Sequence, residues 1–439
     1  MTNNNRRALL KTGLLGTAAL AMNGQASIQA NTESGGYSLD TWPAIRALFP
    51  LQKDVKHMAG FLLASHPTPV SDAIDRYRKQ LDHNPAQFLM EQDHALELAS
   101  LKAAASYIKD NAENIALIRS TTEGLATLYQ GINIAKGQEV LTSSHDHYAT
   151  YKSLEFSTAQ NGASIKRIDL YDQENPQEVS EQQILKRIES SITSSTRVLA
   201  LTWVHSSSGV KLPIAKISAL VATANIGRSE QNRLLFCVDG VHGFGIENID
   251  VRELGCDFFI AGTHKWMLGP RGTGILWGKA ECWQHVSPTV PTFDLNAFLQ
   301  WMKFLPESPI PGPIRMTPGG THAYEHRWAM TEAFQLHEQI GKQRIQDRIH
   351  ELNAILKKGL SKIKGVSLKT PQESALSSGI TAFEIRGLSP RDSVSTMRKY
   401  NIIASQAPYS RSYLRLSPGL LNDESEVDYC IETVSKLVV

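Results

Sequence analysis

Between Ile115 and Trp277 short apolar runs alternate with turns and helix-length stretches, and this alternation leaves few architectures open. The runs are Ile115 to Arg119, Glu139 to Ser143, Ser164 to Leu170, Arg197 to Trp203, Leu234 to Val238, Phe258 to Ala261 and Gly274 to Trp277. Strands buried on both faces read as continuous apolar segments, and parallel neighbours need a crossover of helix length between them. The expected class is therefore α/β, with a mainly parallel seven-stranded large domain. Ligands in such sheets collect beyond the carboxyl ends of the strands, so the residues just after each run are the first candidates for a site.

The most informative of these lie between Leu234 and Gly278, which reads LLFCVDGVHGFGIENIDVRELGCDFFIAGTHKWMLGPRGTGILWG. One run delivers Asp239 into a glycine-rich turn, and the next delivers Thr263, His264 and Lys265. Taken singly, an Asp after a strand is turn chemistry and a Lys is a solvated surface residue. Together they set a carboxylate and an amine on adjacent strand ends, which is what pyridoxal 5'-phosphate requires. An amine must condense with the cofactor's aldehyde, and a carboxylate must keep the pyridine nitrogen protonated so that the ring accepts electrons. Lys265 and Asp239 take those roles.

With its motifs DGVHGFG and THKWMLGPRGTGILW, the stretch resembles the class V aminotransferases among the fold-type I pyridoxal-phosphate enzymes, most closely their isopenicillin N epimerase-like branch. The resemblance covers nearly all of the chain after its first residues and is strongest from Asp239 to Trp277. It implies a small α+β carboxy-terminal domain and a homodimer. It places His242 near the ring's phenolic oxygen and His264 at the phosphate. Where the family commonly has a phosphate-binding Ser, this chain has Gly262, so Thr263 is expected to substitute.

Other strand ends follow. Ser120-Thr121-Thr122-Glu123 opens a helix, where hydroxyls and free amides can bind an anion or simply form a capping box; the resemblance makes it the phosphate cup, with Thr122 as the main side chain beside Thr121. In Ser144-His145-Asp146-His147-Tyr148, an aromatic ring is needed to stack on the pyridine, and the resemblance puts His147 there, with Tyr148 second. A competing reading takes His145, His147, His205 and His242 as ligands of a metal-dependent hydrolase. The loop from His205 is expected over the cofactor, with His205 or Ser206 facing substrate. Thr321, after Pro318-Gly319-Gly320, is expected to reach the partner subunit's phosphate or to cap the following helix. Arg415 in Tyr413-Leu414-Arg415-Leu416-Ser417-Pro418 matches the family's carboxylate-binding arginine, with Arg411 in reserve; a guanidinium grips a carboxylate through two parallel hydrogen bonds. Ser65 and His66 stand where relatives often carry an Asn-rich turn.

The remaining chain sets the frame. Residues 1–30 have the form of a twin-arginine export signal, with Arg6 and Arg7 ahead of a mildly apolar segment and cleavage after Ala26 or Ala30. Periplasmic location through the Tat export machinery follows as an expectation. Residues 31–80 form an amino-terminal segment, 81–320 the large domain and 321–439 the small one. Helices are expected over Pro69 to Leu81, Met90 to Lys109, Arg327 to Ile363, Arg391 to Tyr400 and Glu424 to Leu437. Small-domain strands are expected around Ser378 to Ile385, Ile402 to Ser405 and Tyr413 to Leu416. Net charge of +2 over 439 residues gives no sign of a nucleic-acid partner, and no internal apolar run is long enough for a membrane span. Cys237, Cys256, Cys282 and Cys430 show no CxxC pair or framework spacing. The small-molecule amino substrate can undergo transamination, which is favoured, or epimerisation or elimination. Desulfuration is disfavoured because Ile402 to Tyr413 has no nucleophilic Cys. Exported members of the resembled branch include an enzyme that modifies the glutamate side group of the siderophore pyoverdine, so siderophore maturation is the specific expectation.

Overall fold

The computed structural model describes residues 37–439 apart from positions 249, 311 and 439, so the export signal expected over residues 1–30 lies outside the described residues. All seven expected strands form one sheet: β1 (Ile115–Ile118), β2 (Glu139–Ser143), β3 (Ser164–Ile168), β4 (Thr196–Thr202), β5 (Leu235–Asp239), β6 (Phe258–Gly262) and β7 (Gly274–Gly278). Their spatial order is β1-β7-β6-β5-β4-β2-β3. Every neighbouring pair is parallel except those of β7, which runs antiparallel to both β1 and β6. The inner strands β4, β5, β6 and β7 and the edge strand β1 are buried at every position, as apolar runs covered by helices on both faces must be.

The two faces have separate cores. One gathers Leu117, Leu199, Leu201, Phe236, Val238, Phe259 and Trp277 beneath helices that carry Ile184, Ile217 and Phe334. The other gathers Ala116, Ile118, Val198, Ala200, Cys237, Ile260 and Leu276 beneath Leu125, Leu128 and Leu154. Alternate residues of each strand therefore point to opposite layers. The helix Thr121–Gly131 lies especially close to the sheet, because a Cβ at Gly124 would fall 2.4 Å from Ile118 Cδ1 and 2.7 Å from Ile260 Cγ2. All four cysteines are buried and unpaired.

The small sheet is antiparallel in the order β10-β11-β9-β8, from β8 (Val366–Leu368), β9 (Thr381–Ile385), β10 (Ser405–Gln406) and β11 (Leu414–Leu416). The helix Glu424–Leu437 and the long helix Lys342–Leu360 cover it through Leu352, Leu356, Val427 and Val434. The single helix expected over Arg327 to Ile363 is divided into Tyr324–Trp328, Met330–Ile340 and Lys342–Leu360. Gly341, at φ 97°, makes the last break by leaving the helical region. The amino-terminal segment joins the small sheet's side of the molecule: Lys56–His57 pairs in parallel with Ile402–Ile403, and Arg46 forms ion pairs with Asp423 and Glu426. Among the described residues no helix is long and apolar enough to cross a membrane.

Candidate active site

The register of the large sheet sets the first part of the site. Asp239 ends β5, pairing with Thr202 on one side and Ile260 on the other, while Lys265 follows the end of β6. The turn after Asp239 is tight. Val241 donates its N–H to Asp239 Oδ1 at 3.1 Å, and Gly245, at φ 93°, packs its Cα against the backbone of Trp266 and Met267, where a Cβ would fall 2.5 Å from Met267 N. That turn carries His242 back to Lys265, with Nε2 3.2 Å from Lys265 Nζ.

Burial governs the electrostatics here. It lowers the Lys265 ammonium to a pKa of about 8, against the pull of Asp239 and with help from the Arg415 charge. It raises the Asp239 carboxyl to about 6, opposed by the Val241 N–H and by Lys265. His242 is held neutral, first by burial and then by Lys265 and Arg415. The buried Nδ1 of His242 has no hydrogen-bond partner among the described residues, an orphan beside the amine. A bound group with an oxygen at His242, a carbonyl carbon at Lys265 and a basic nitrogen at Asp239 would satisfy all three, and pyridoxal phosphate carries that set.

The expected anion cup lies across the adjoining strand end. Ser120 caps the helix Thr121–Gly131 by accepting the N–H of Glu123, and Glu123 accepts the N–H of Arg119. The amides of Thr121 and Thr122 stand at the positions where a helix offers no internal acceptor. Gly262 explains its own identity: its N–H donates to Thr121 Oγ1 at 2.8 Å, and a Cβ there would fall 3.0 Å from the His264 ring and 3.1 Å from Thr121 Oγ1. His264, with its pKa lowered to about 4 chiefly by burial, thus occupies the space a longer residue would take. Thr263 does not substitute for the missing Ser. Its side chain is 0% exposed, and its hydroxyl bonds to Thr273 Oγ1 and the Pro270 carbonyl, closing the 263–274 loop.

The two histidines of Ser144-His145-Asp146-His147 part company. Asp146 fixes the turn by accepting from Thr142 Oγ1, from the N–H and hydroxyl of Ser143, and from Thr202 N. His147 then caps the helix Tyr148–Asn161 through Nδ1, close enough to Lys265 and Arg415 that, after burial, their charges lower its pKa. His145 points inward, stacked on Tyr171 at 3.7 Å and 11°, with Nε2 accepting the Leu170 N–H. His205, expected to face substrate, is also turned in. It is 0% exposed, so it has no surface to meet a ligand, and its Nδ1 lies 2.7 Å from the Tyr171 hydroxyl. The neighbouring Ser206 is buried as well but turns its hydroxyl to Tyr409. With two of the four histidines engaged with Tyr171, one stacked and one hydrogen-bonded, the metal-ligand reading loses its geometry, and no group of three or more His, Cys, Asp or Glu among the described residues could hold a metal ion. Tyr148 is 66% exposed at the start of its helix, and Thr321 is exposed as well.

Arg415 reaches the site from β11 although it is only 2% exposed. Its Nε donates to Ser405 Oγ, Nη1 to the Ser206 carbonyl at 2.6 Å and Nη2 to the Gln406 carbonyl at 2.8 Å. A guanidinium has five N–H donors, so these three leave one on each Nη, a fork of the kind that takes a carboxylate. Arg415 has no ion pair among the described residues, and burial lowers its pKa to about 10. Arg411 instead pairs with Glu174. Two residues the sequence reading missed complete the walls. Phe61 lies under the Arg415 guanidinium at 4.7 Å and beside the His242 ring at 5.8 Å. Tyr409 brings its hydroxyl to 2.5 Å from Ser206 Oγ. A lone Phe in an extended segment gives no signal for the first; the second lies in the loop read only for cysteine.

The family model for class-V aminotransferases matches residues 64–429. An isopenicillin N epimerase from Amycolatopsis lactamdurans is 23% identical over 418 residues, which cover 90% of this chain and 98% of that protein. A probable cysteine desulfurase from Halalkalibacterium halodurans is 24% identical over 385 residues, 83% of this chain and 87% of that one. Among solved structures, a cystine C-S lyase in complex with its product cysteine persulfide superposes with a TM-score of 0.78 at 20% identity, covering 88% of this chain and 99% of the other.

Proposed function

The chain belongs to the class-V aminotransferase family of pyridoxal-phosphate enzymes, and from that premise we propose that it is an aminotransferase acting on an amino acid or a glutamyl-type amine. The observation that carries this reading is the pairing of Lys265, Asp239 and His242 at two adjacent strand ends with a buried Arg415 whose fork has two N–H groups to spare. When bound, pyridoxal phosphate supplies an electron sink for charge developing at the substrate's α-carbon.

The chain's own residues do the rest. Lys265 would hold the aldehyde carbon, Asp239 the pyridine nitrogen, Thr121, Thr122 and His264 the phosphate, and His147 one ring face. Arg415 orients the substrate through its carboxylate. Lys265, its pKa lowered to about 8, is far more often neutral at pH 7 than an ordinary lysine and so can take the α-proton as a general base. Burial of Phe61, Asp239 and His242 keeps water from the reacting atoms. Absence of cysteine between Ile402 and Tyr413 argues against persulfide chemistry. A second reading is epimerisation, favoured by the epimerase relative that aligns along nearly the whole chain.

The proposal extends to setting. The leader-like residues 1–30 support export by the twin-arginine route, and with the family assignment they support a periplasmic role in siderophore maturation of the pyoverdine type. A homodimer is the proposed working unit, with exposed Thr321 reaching the partner subunit's phosphate. The deciding experiment is absorption of the purified protein before and after borohydride, followed by peptide mapping and an amino-donor screen. A yellow protein with a reduced adduct on Lys265 and keto-acid product from one donor is the expected result. Racemised donor without keto acid would replace transamination by epimerisation, and a colourless protein that gains no adduct would overturn the cofactor assignment. A deletion strain with an unchanged siderophore profile would remove the siderophore role alone.

A further inference from the structure

Tyr409 is the side chain in which the two halves of the site meet. It lies in the 407–413 segment that joins β10 to β11, the strand of Arg415. Its ring approaches His147 edge-on, with centroids 6.2 Å apart at 78°. Its hydroxyl is 2.5 Å from Ser206 Oγ, while the carbonyl of that same serine accepts Arg415 Nη1 at 2.6 Å. One phenol thus spans from the ring expected over the cofactor to the guanidinium expected on the substrate.

Either hydroxyl can donate in the Ser206–Tyr409 bond, and the two directions differ in what they leave the phenol free to do. A tyrosine hydroxyl has one proton to donate and lone pairs to accept, and so has serine. If the Ser206 hydroxyl donates to the phenol oxygen, the phenol O–H is free to point toward the fork of Arg415. Burial foremost raises the Tyr409 pKa to about 12, so the group is a neutral donor throughout the physiological range. A carboxylate offers about four lone-pair positions on two oxygens, enough for both spare N–H groups of Arg415 and one more donor.

Building on the amino-acid reading above, we propose that Tyr409 is a substrate-binding residue that donates its hydroxyl to the carboxylate held by Arg415, with Ser206 orienting it. The chain of donation runs from Ser206 Oγ–H to the phenol oxygen, and from the phenol O–H to the carboxylate. This narrows the substrate class to amines that carry a free carboxylate next to the reacting carbon. It also gives the cysteine-free loop a part in recognition, because the loop supplies the third donor at the same carboxylate.

The test uses the full-length holoprotein and compares Tyr409→Phe with the unaltered chain. Phenylalanine keeps the edge contact with His147 and removes only the hydroxyl. The expected result is a rise of about 10-fold in KM, and in the Kd read from the cofactor's absorbance, for the amino-acid donor. Turnover at saturation should stay within about twofold, and affinity for the decarboxylated amine should not change. Ser206→Ala should reproduce the effect in weaker form. An unchanged KM and Kd in a Tyr409→Phe protein that still forms the Lys265 adduct would overturn the proposal. Equal loss for amino acid and amine would overturn it too, since that marks a wall rather than a donor. Failure of the unaltered protein to form a Lys265 adduct is a separate result, which removes the reading beneath.

Discussion

His145 and His205 share Tyr171 as a partner, one stacked on its ring and the other bonded to its hydroxyl, whereas His147 and His242 stand next to Lys265. All four come from loops at the same end of the sheet. The inner pair sits between strand ends with a phenol filling the space, so its ring faces are used in packing. The outer pair makes one hydrogen bond each, His147 through its helix cap and His242 with Lys265. What separates a structural histidine from one available to chemistry is therefore the direction in which a turn releases it. Residue type is the same in both.

The sharpest way to test this contrast is Lys265→Ala, which should lower turnover by about 10³-fold or more and abolish the borohydride adduct while leaving the melting temperature near its original value. A variant that retained appreciable turnover would detach the outer pair from catalysis. Next in size is Arg415→Lys. Lysine keeps the charge but not the planar fork, so KM for the amino donor should rise about 10- to 100-fold.

Two pH experiments divide the pairs. In cofactor-free protein the rate of adduct formation should rise with pH up to about 8 and then level, because the reacting group is neutral Lys265 and its pKa lies there. For the inner pair the sign is set by burial, which lowers both His145 and His205 from 6.5 to about 3. The unfolded chain binds protons first as pH falls, so stability should decline between about pH 6.5 and pH 3 and be fully present above that range. Urea titrations at pH 7, 5.5 and 4 would show it, and replacing His145 by Phe should flatten the decline. Smallest is Tyr171→Phe, which removes the hydroxyl shared by His205 and Ser208. About 1 kcal/mol of stability should be lost with kcat/KM nearly unchanged; a large loss of activity would mean that the inner layer takes part in the reaction.

These residues also mark how far the chain could be read before its structure. The seven strands and the helix Glu424–Leu437 were legible because burial on two faces, or on one helical stripe, writes a period into the sequence. Asp239 and Lys265 were singled out because strand ends in such a sheet converge on a site, whereas Arg415, inside a strand of the small sheet, was singled out only by the family resemblance. His205 and Thr263 were not, since Ser206 and Gly262 beside them share the same loops and only backbone direction decides which residue faces out. Val366–Leu368 escaped notice as a three-residue strand at a sheet edge, partly exposed along its length. The break at Gly341 was hidden inside a continuous helical pattern that a single positive φ interrupts. Tyr409 was passed over because its loop was searched for a nucleophile and not for a donor.

The parallel pairing of Lys56–His57 with Ile402–Ile403 has a consequence for how the molecule is made. The earliest described strand can find its partner only after more than three hundred further residues have left the ribosome. Docking of that strand therefore waits for residues 402–403, and the same region of the structure seats Phe61 under Arg415. An unfinished or truncated chain would leave this segment loose, with Phe61 uncovered and the substrate end of the site unbuilt. Completion of the carboxy terminus is in this sense a checkpoint on activity: the first part of the chain reports, by where it lies, whether the last part has folded.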